Sequence, residues 1–224
     1  MDQDILVKAE NLQVYQNHSL VLSQVNFTVS RGEFVYLVGK TGAGKSSLLK
    51  LMYAAVPMQK GNTGKLWVAG YDLATIKPDE VPFLRRKLGI VFQDFQLLYD
   101  RSVLENLLFV LHATGWKSKP DMEKRVMEVL AQVDLVSKAG KMPHQLSGGE
   151  QQSLCIARAL LNDADIILAD EPTGNLDPES SLAIVRLLRS ISARGKAVIM
   201  ASHDYGVMNN MPGRVLTCEG GKVV

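Results

Sequence analysis

Residues 39–46 read GKTGAGKS, a match to G-x-x-x-x-G-K-[ST], the loop that holds phosphate groups where it joins a buried strand to a helix. Both neighbours suit it. Residues 33–38 (EFVYLV) are a short apolar run fit for a buried strand, and residues 47–56 have helical spacing that stops at Pro57. In that context Gly39, Gly42 and Gly44 let the backbone turn tightly about an anion, so that NH groups and the positive helix end face phosphate oxygens. Lys45 adds a full charge for the terminal phosphates, and the Ser46 hydroxyl suits Mg2+. The expected nucleotide-binding set is Gly39, Lys40, Thr41, Gly42, Ala43, Gly44, Lys45, Ser46 and Ser47.

Downstream, residues 163–171 (DADIILADE) run four apolar residues into two carboxylates. A buried strand ending at Asp170 delivers a carboxylate to the open end of a parallel sheet, where ligands bind. Asp170 is the expected second Mg2+ ligand, and Glu171, facing elsewhere, the group that orients and deprotonates an attacking water. Residues 146–151 (LSGGEQ) open a helix, and the spacing of Ser147 and Glu150 is that of a capping box. Gly148 and Gly149 leave bare NH groups at a positive helix end, which makes a second anion site. One nucleotide already has a cradle in the first loop, so a second cradle suggests a nucleotide shared between two copies.

Four further positions stay ambiguous on spacing alone. Gln93 follows a short strand and either reaches Mg2+ or water or lies on the surface. Tyr15, near a strand end, either stacks on a purine or is half-buried. Asp177, in TGNLD, caps a helix if it does nothing else, and His203 ends another apolar strand, AVIMAS.

The totals narrow the class. At 224 residues, with no Pro/Ser-rich linker, one large α/β domain is expected. Lys and Arg number 25 against 23 Asp and Glu, a balance that argues against a nucleic-acid surface. Cys155 and Cys218 lack metal or redox spacing and are expected to be reduced packing residues. The N-terminal MDQDILVKAENL predicts no secretory signal. Residues 103–116, interrupted by Glu105, Asn106 and His112, are too short and polar to cross a bilayer, so a membrane role would need another chain.

Along the chain, residues 5–15 and 20–29 alternate like an antiparallel hairpin turned at QNHS, and residues 61–72 like a second, shorter one. Helix is expected at 78–88 and strand at 89–92. From about 103 to 161 the pattern is mostly amphipathic helix. Strand 166–169, helix 178–193, strand 197–202 and a last hairpin turned at Gly220 and Gly221 follow. A parallel α/β core interrupted by a helical insertion accounts for this order.

Taken together, GKTGAGKS, the Gln93 loop, LSGGEQQ, IILADEP, GNLD and ASHD resemble the ATP-binding-cassette ATPases over essentially the whole chain, and LSGGE separates that family from other phosphate-loop proteins. Residues 81–107 (VPFLRRKLGIVFQDFQLLYDRSVLENL) and 168–177 (LADEPTGNLD) are most similar to its cell-division members. The resemblance implies a phosphate-loop NTPase core of ABC type over residues 1–224, with an N-terminal antiparallel β subdomain and a helical subdomain inserted at about 94–161. It implies ATP and Mg2+ as ligands, ATP hydrolysis, and a homodimer closed head to tail around two ATP. Lys45 of one copy would then face Ser147 and Gly149 of the other, within the set Ser147, Gly148, Gly149 and Glu150 that meets the partner copy's ATP. It makes Tyr15 the adenine-stacking aromatic, Gln93 a coupling residue and Mg2+ ligand with Ser46 and Asp170, Glu171 the base, His203 the γ-phosphate sensor and Asp177 a dimer contact.

The resemblance further implies an FtsX-like integral membrane partner, docked in a groove beside the Gln93 loop that includes residues 95–100. The chain would then sit in the cytoplasm, peripheral on the inner face of the membrane and not inserted in it, and would drive that partner, which in turn controls cell-wall hydrolysis at division. ADEPTGNLD is shared with relatives serving lipoprotein release and macrolide-type export, which is the alternative. A scaffold that needs ATP binding and closure, with hydrolysis incidental, is a third reading. Two departures stand out: Ser153 where an arginine usually follows LSGGEQQ, and Ser47 where threonine is usual.

Overall fold

Asn17 and His18, with φ of 47° and 66°, make a two-residue turn of the type that matches strand twist. It joins β1 (Ile5–Gln16) to β2 (Ser19–Ser30) as an antiparallel pair. The structure, a computed structural model, describes residues 4–59 and 62–224. Then come β3 (Phe34–Val38), α1 (Lys45–Met52), β4 (Lys65–Val68), β5 (Tyr71–Asp72), α2 (Val81–Arg86) and β6 (Leu88–Val91). Between β6 and β7 the described residues form only helices, chiefly α3 (Val103–Ala113), α4 (Lys119–Gln132) and α5 (Gly148–Leu160). The chain closes with β7 (Ile166–Asp170), α6 (Pro178–Ala193), β8 (Ala197–Ser202), α7 (Tyr205–Asn210), β9 (Arg214–Glu219) and β10 (Lys222–Val223).

Two sheets result. One is antiparallel, in the order β2-β1-β4-β5; the other runs β10-β9-β3-β8-β7-β6 and is parallel except for its last hairpin. The central strands are apolar throughout because both faces of the parallel sheet are covered. Along β3, Tyr36 and Val38 face the core built with α3 to α6, while Val35 and Leu37 face the core shared with α1 and the antiparallel sheet. Period-two alternation thus serves two buried faces. The Gly221 carbonyl, in the turn between β9 and β10, accepts from Ser23 NH at 2.7 Å and ties the sheets together.

The register decides where the chemistry gathers. Val38 lies beside Ser202, and Asp170 beside Ala201. The carboxyl ends of β3, β8 and β7 are therefore neighbours, and the residues just beyond them, Gly39, His203 and Glu171, share one edge.

Several boundaries differ from the sequence expectations. Helix α1 stops at Met52 rather than at 56, because Ala54 turns left-handed (φ 52°) and the Arg85 guanidinium takes the open Tyr53 and Ala54 carbonyls at 3.1 and 2.9 Å. The helix expected at 78–88 covers only Val81–Arg86. The Lys87 carbonyl already accepts from Asp165 and Ile166 NH groups, so the chain has joined the sheet by Leu88. Helix α7 was not expected. Gly61, where the second hairpin was to begin, lies outside the described residues.

Candidate active site

The loop after β3 is pressed between two strands that only glycine allows so close. A Cβ on Gly39 (φ 152°) would sit 2.5 Å from the Cys218 carbonyl of β9, and one on Gly44 (φ 96°) would sit 2.9 Å from the Leu22 side chain of β2. Gly42 (φ 82°) meets nothing within 4 Å and faces the open side. No side chain caps α1 at Gly44, so its first NH groups remain available to an anion. Lys45 is only 6 % exposed and folds back over the loop, donating to the Gly39 and Lys40 carbonyls at 2.7 and 3.4 Å.

The two acids at the end of β7 point different ways for a backbone reason. Asp170 is still in strand conformation, and its Oδ1 accepts from the Ser46 hydroxyl at 2.9 Å. Glu171 turns left-handed (φ 49°), its NH donating to the Ala201 carbonyl at 3.0 Å. Its carboxylate, 12 % exposed, then reaches Lys45 Nζ at 3.4 Å and His203 Nδ1 at 2.8 Å. Such a backbone costs about 1–3 kcal/mol in a non-glycine residue and is typical of functional turns. Burial pushes the Asp170 carboxyl above the usual carboxylate range; the Ser46 hydrogen bond pulls the other way, and neighbouring Glu171 pushes it further up.

Loop residues 41–47, Gln16, Lys50, Gln93, Glu171 and His203 line one cleft of about 310 Å³, while Asp170 lines the adjoining cleft, whose wall Gln93 shares. A Mg2+ ion fits the donors present: the Ser46 hydroxyl hydrogen-bonded to the Asp170 carboxylate, with the Gln93 amide on the same cleft, are all hard oxygen ligands. Among the described residues no group of three His, Cys, Asp or Glu side chains could hold a metal alone.

Other residues singled out in the sequence lie elsewhere. Ser147 caps α5, accepting from Glu150 NH at 3.2 Å while Glu150 accepts from Ser147 NH at 2.8 Å. The Lys138 ammonium holds Glu150 at 3.3 Å. Ser147, Gly149, Glu150 and Ser153 line a different cleft, against α6 and residues 131–135. Gly148 and Gly149 let α5 come close to its neighbours: a Cβ on either would meet Leu176 or Ser180 at 3.2 Å. Asp177 caps α6 by accepting from Ser180 NH at 3.0 Å. Tyr15 lines a third cleft with Leu51, Pro57 and Met58, while its neighbour Gln16 reaches the phosphate-loop cleft. The structure therefore brings together residues 39–47, Gln93, Asp170, Glu171 and His203. It leaves Tyr15, Ser147, Gly148, Gly149, Glu150 and Asp177 outside that cleft.

Asn175 is a participant that the sequence reading passed over. Its amide donates to the Gln93 carbonyl at 3.0 Å, and its place inside TGNLD, where only Asp177 was singled out, was the available signal.

The chain is similar to known proteins in sequence and in fold. Residues 22–174 match the family model described as ABC transporter. The chain is 45 % identical to the cell division ATP-binding protein FtsE of Bacillus subtilis (strain 168), over 96 % of this chain and 92 % of that protein. It is 43 % identical to FtsE of Escherichia coli (strain K12), over 93 % and 92 %. Among solved structures, the ATP-binding cassette MJ0796, in a dimeric post-hydrolysis state bound to ADP and Pi, matches with a TM-score of 0.82 and 34 % identity, over 97 % of this chain and 96 % of that one. CbiO1 of Clostridium perfringens, described as part of the ABC transporter complex cbiONQ, matches with a TM-score of 0.88 and 26 % identity, over 99 % and 88 %.

Proposed function

The chain belongs to the ABC transporter family, as an ATP-hydrolysing cassette, and on that premise we propose that it closes head to tail with a second copy on ATP and drives an FtsX-like membrane partner in cell division, regulating cell-wall hydrolysis. The observation that carries the division role is the likeness to FtsE proteins over nearly the whole chain. No described helix is long and apolar enough to cross a membrane, so the membrane-spanning part is assigned to the partner, and the chain to the inner membrane face.

The proposed chemistry follows from the cleft. Loop NH groups and the α1 N-terminus hold the β- and γ-phosphates, and Lys45 turns its donors from the Gly39 and Lys40 carbonyls to phosphate oxygens. That releases Glu171 from Lys45 to accept a proton from water, with His203 fixing the carboxylate from its other side. Ser46, Asp170 and Gln93 would hold Mg2+, which when bound neutralises phosphate charge. Tyr15 stacks on the adenine. Ser147, Gly148, Gly149 and Glu150 complete the site of the other copy, with Asp177 at the contact. The helical stretch 94–161 moves as a subdomain, and a groove beside the Gln93 loop, in which residues 95–100 take part, receives the partner.

The test is to isolate the Glu171→Gln protein with Mg-ATP from gently solubilised membranes of its own cell and identify by mass spectrometry what accompanies it. An FtsX-like protein, with few spans and an extracytoplasmic domain, is expected. A lipoprotein-release or macrolide-type export permease would establish the alternative, and no membrane protein at all would overturn the coupling.

A further inference from the structure

The segment that follows Gln93 makes a turn that its residue types resist. Phe95 and Gln96 are both left-handed, with φ of 59° and 50°, and neither is a glycine or asparagine that takes this conformation readily. Such backbone persists only where the surroundings enforce it. Here a single side chain does most of the enforcing. Arg158, on α5, donates from one terminal nitrogen to the Phe95 carbonyl at 2.8 Å and from the other to the Gln96 carbonyl at 2.5 Å. The Cys155 thiol, one turn earlier on α5, also donates to the Phe95 carbonyl, at 3.2 Å.

The other side of the loop is tied to the TGNLD segment. Asn175 donates to the Gln93 carbonyl, and the Gln93 amide lies so near Gly174 that a Cβ there would come within 3.0 Å of its nitrogen. The loop is thus held between α5, whose first turn carries Ser147 to Glu150, and the segment that ends in Asp177. Within one copy, Ser147 does not line the phosphate-loop cleft, but Gln93 does.

We infer that Arg158 is a positioning residue for hydrolysis: its forked guanidinium holds the Phe95–Gln96 turn, and through that turn sets the Gln93 side chain from the position of α5. A shift of α5 then moves Gln93 in the same copy without any contact between α5 and the phosphates. The chemistry calls for arginine in particular. Two carbonyls a residue apart are held by two N–H groups of one rigid plane, which a lysine ammonium cannot reproduce. The inference deepens the ATPase reading above and rests on its placing of Gln93 in the site.

The experiment is a double-substitution cycle on Mg-ATP hydrolysis by the full chain. Arg158→Lys should lower kcat roughly tenfold and move KM by less than about twofold, the pattern of a lost transition-state contact rather than lost binding. Gln96→Gly lets one of the two residues take the left-handed form without strain. Made on that background, Arg158→Lys should cost no more than about threefold in kcat, a coupling that a merely structural arginine would not produce. Amide exchange of residues 95–98 should rise in Arg158→Lys while that of β3 and β8 stays as in the unsubstituted protein. Arg158→Gln, where it folds, should match or exceed the loss. A wild-type kcat in folded Arg158→Lys, or a loss of the same size on both backgrounds, would overturn the inference. Failure of the parent reading looks different: the unsubstituted protein would then hydrolyse no Mg-ATP, or Lys45→Ala would hydrolyse it equally well.

Discussion

The phosphate-loop cleft and the cleft at the start of α5 both offer helix N-termini to anions, yet they are furnished differently. The first gathers a buried lysine and a histidine in direct contact with Glu171, and a second carboxylate, Asp170, hydrogen-bonded to Ser46 of the loop. The second has a capping box, Gly149 and serines, with two acids on its walls: Asp134, and Glu150, which is already held by Lys138 and by Ser147 NH. One cleft is equipped to bind and break a phosphate bond, the other to recognise an anion presented to it. The difference is what the proposed head-to-tail closure calls for: the second would work on a nucleotide brought by another copy, while its own chain's loop opens into a separate cleft.

The largest effect expected from breaking this contrast is at Lys45. Lys45→Ala removes the buried ammonium that the proposed chemistry turns from the loop carbonyls to the phosphates, worth about 3 kcal/mol, so affinity for a fluorescent ATP analogue should fall about 100-fold. An unchanged titration would contradict the assignment. Ser147→Arg should do the reverse: ATP affinity of a single copy within about twofold of the unsubstituted protein, but ATP-driven dimerisation weakened about tenfold or more, measured by analytical ultracentrifugation. Equal loss in both measurements would mean that the clefts are not separate in function.

A smaller effect sharpens the electrostatics. Because burial raises the Asp170 carboxyl, the unfolded chain ionises this group first. Folded-state stability from it is therefore lost as pH climbs from the ordinary carboxylate range through the raised value. Asp170→Asn keeps an acceptor for Ser46 and removes the buried charge. Without Mg-nucleotide it should stabilise the protein at neutral pH by about 1 kcal/mol, with the gap closing as the pH falls toward 4, while Mg-ATP hydrolysis is lost. Melting curves from pH 4 to 7 test this, and an equal or lower melting temperature at pH 7 would count against it. The smallest change is expected at Ser153, which lines the α5 cleft. Ser153→Arg should shift stability by no more than about 0.5 kcal/mol and leave ATP affinity unchanged, because on the proposed closure it touches only the half of the site that a second copy completes.

Much of this was legible in the chain. The apolar runs of β3, β7 and β8 marked a parallel sheet, and Gly39 to Ser46 with Asp170 and Glu171 marked its functional edge, because glycine spacing and strand-end carboxylates are local signals. What escaped depends on partners far away in sequence. The left-handed turn of Glu171 is set by the Ala201 carbonyl, the early end of α1 by Arg85, and the strained turn after Gln93 by Arg158. His203 was placed at a strand end, but its contact with Glu171 exists because β7 and β8 are neighbours in the sheet. Tyr15 was the converse case, since a local pattern could not say which cleft its ring would line.

The most direct test of the shared-nucleotide account joins the two clefts chemically. Thr41→Cys and Ser147→Cys forms of the Glu171→Gln protein are mixed and treated with a short thiol crosslinker, with and without Mg-ATP. The native Cys155 and Cys218 give little background, since both are buried and their thiols are pushed up to about 11. The account predicts a crosslink between the two different forms that appears only with Mg-ATP. A crosslink that ignores nucleotide, or one that joins only identical positions, would contradict it.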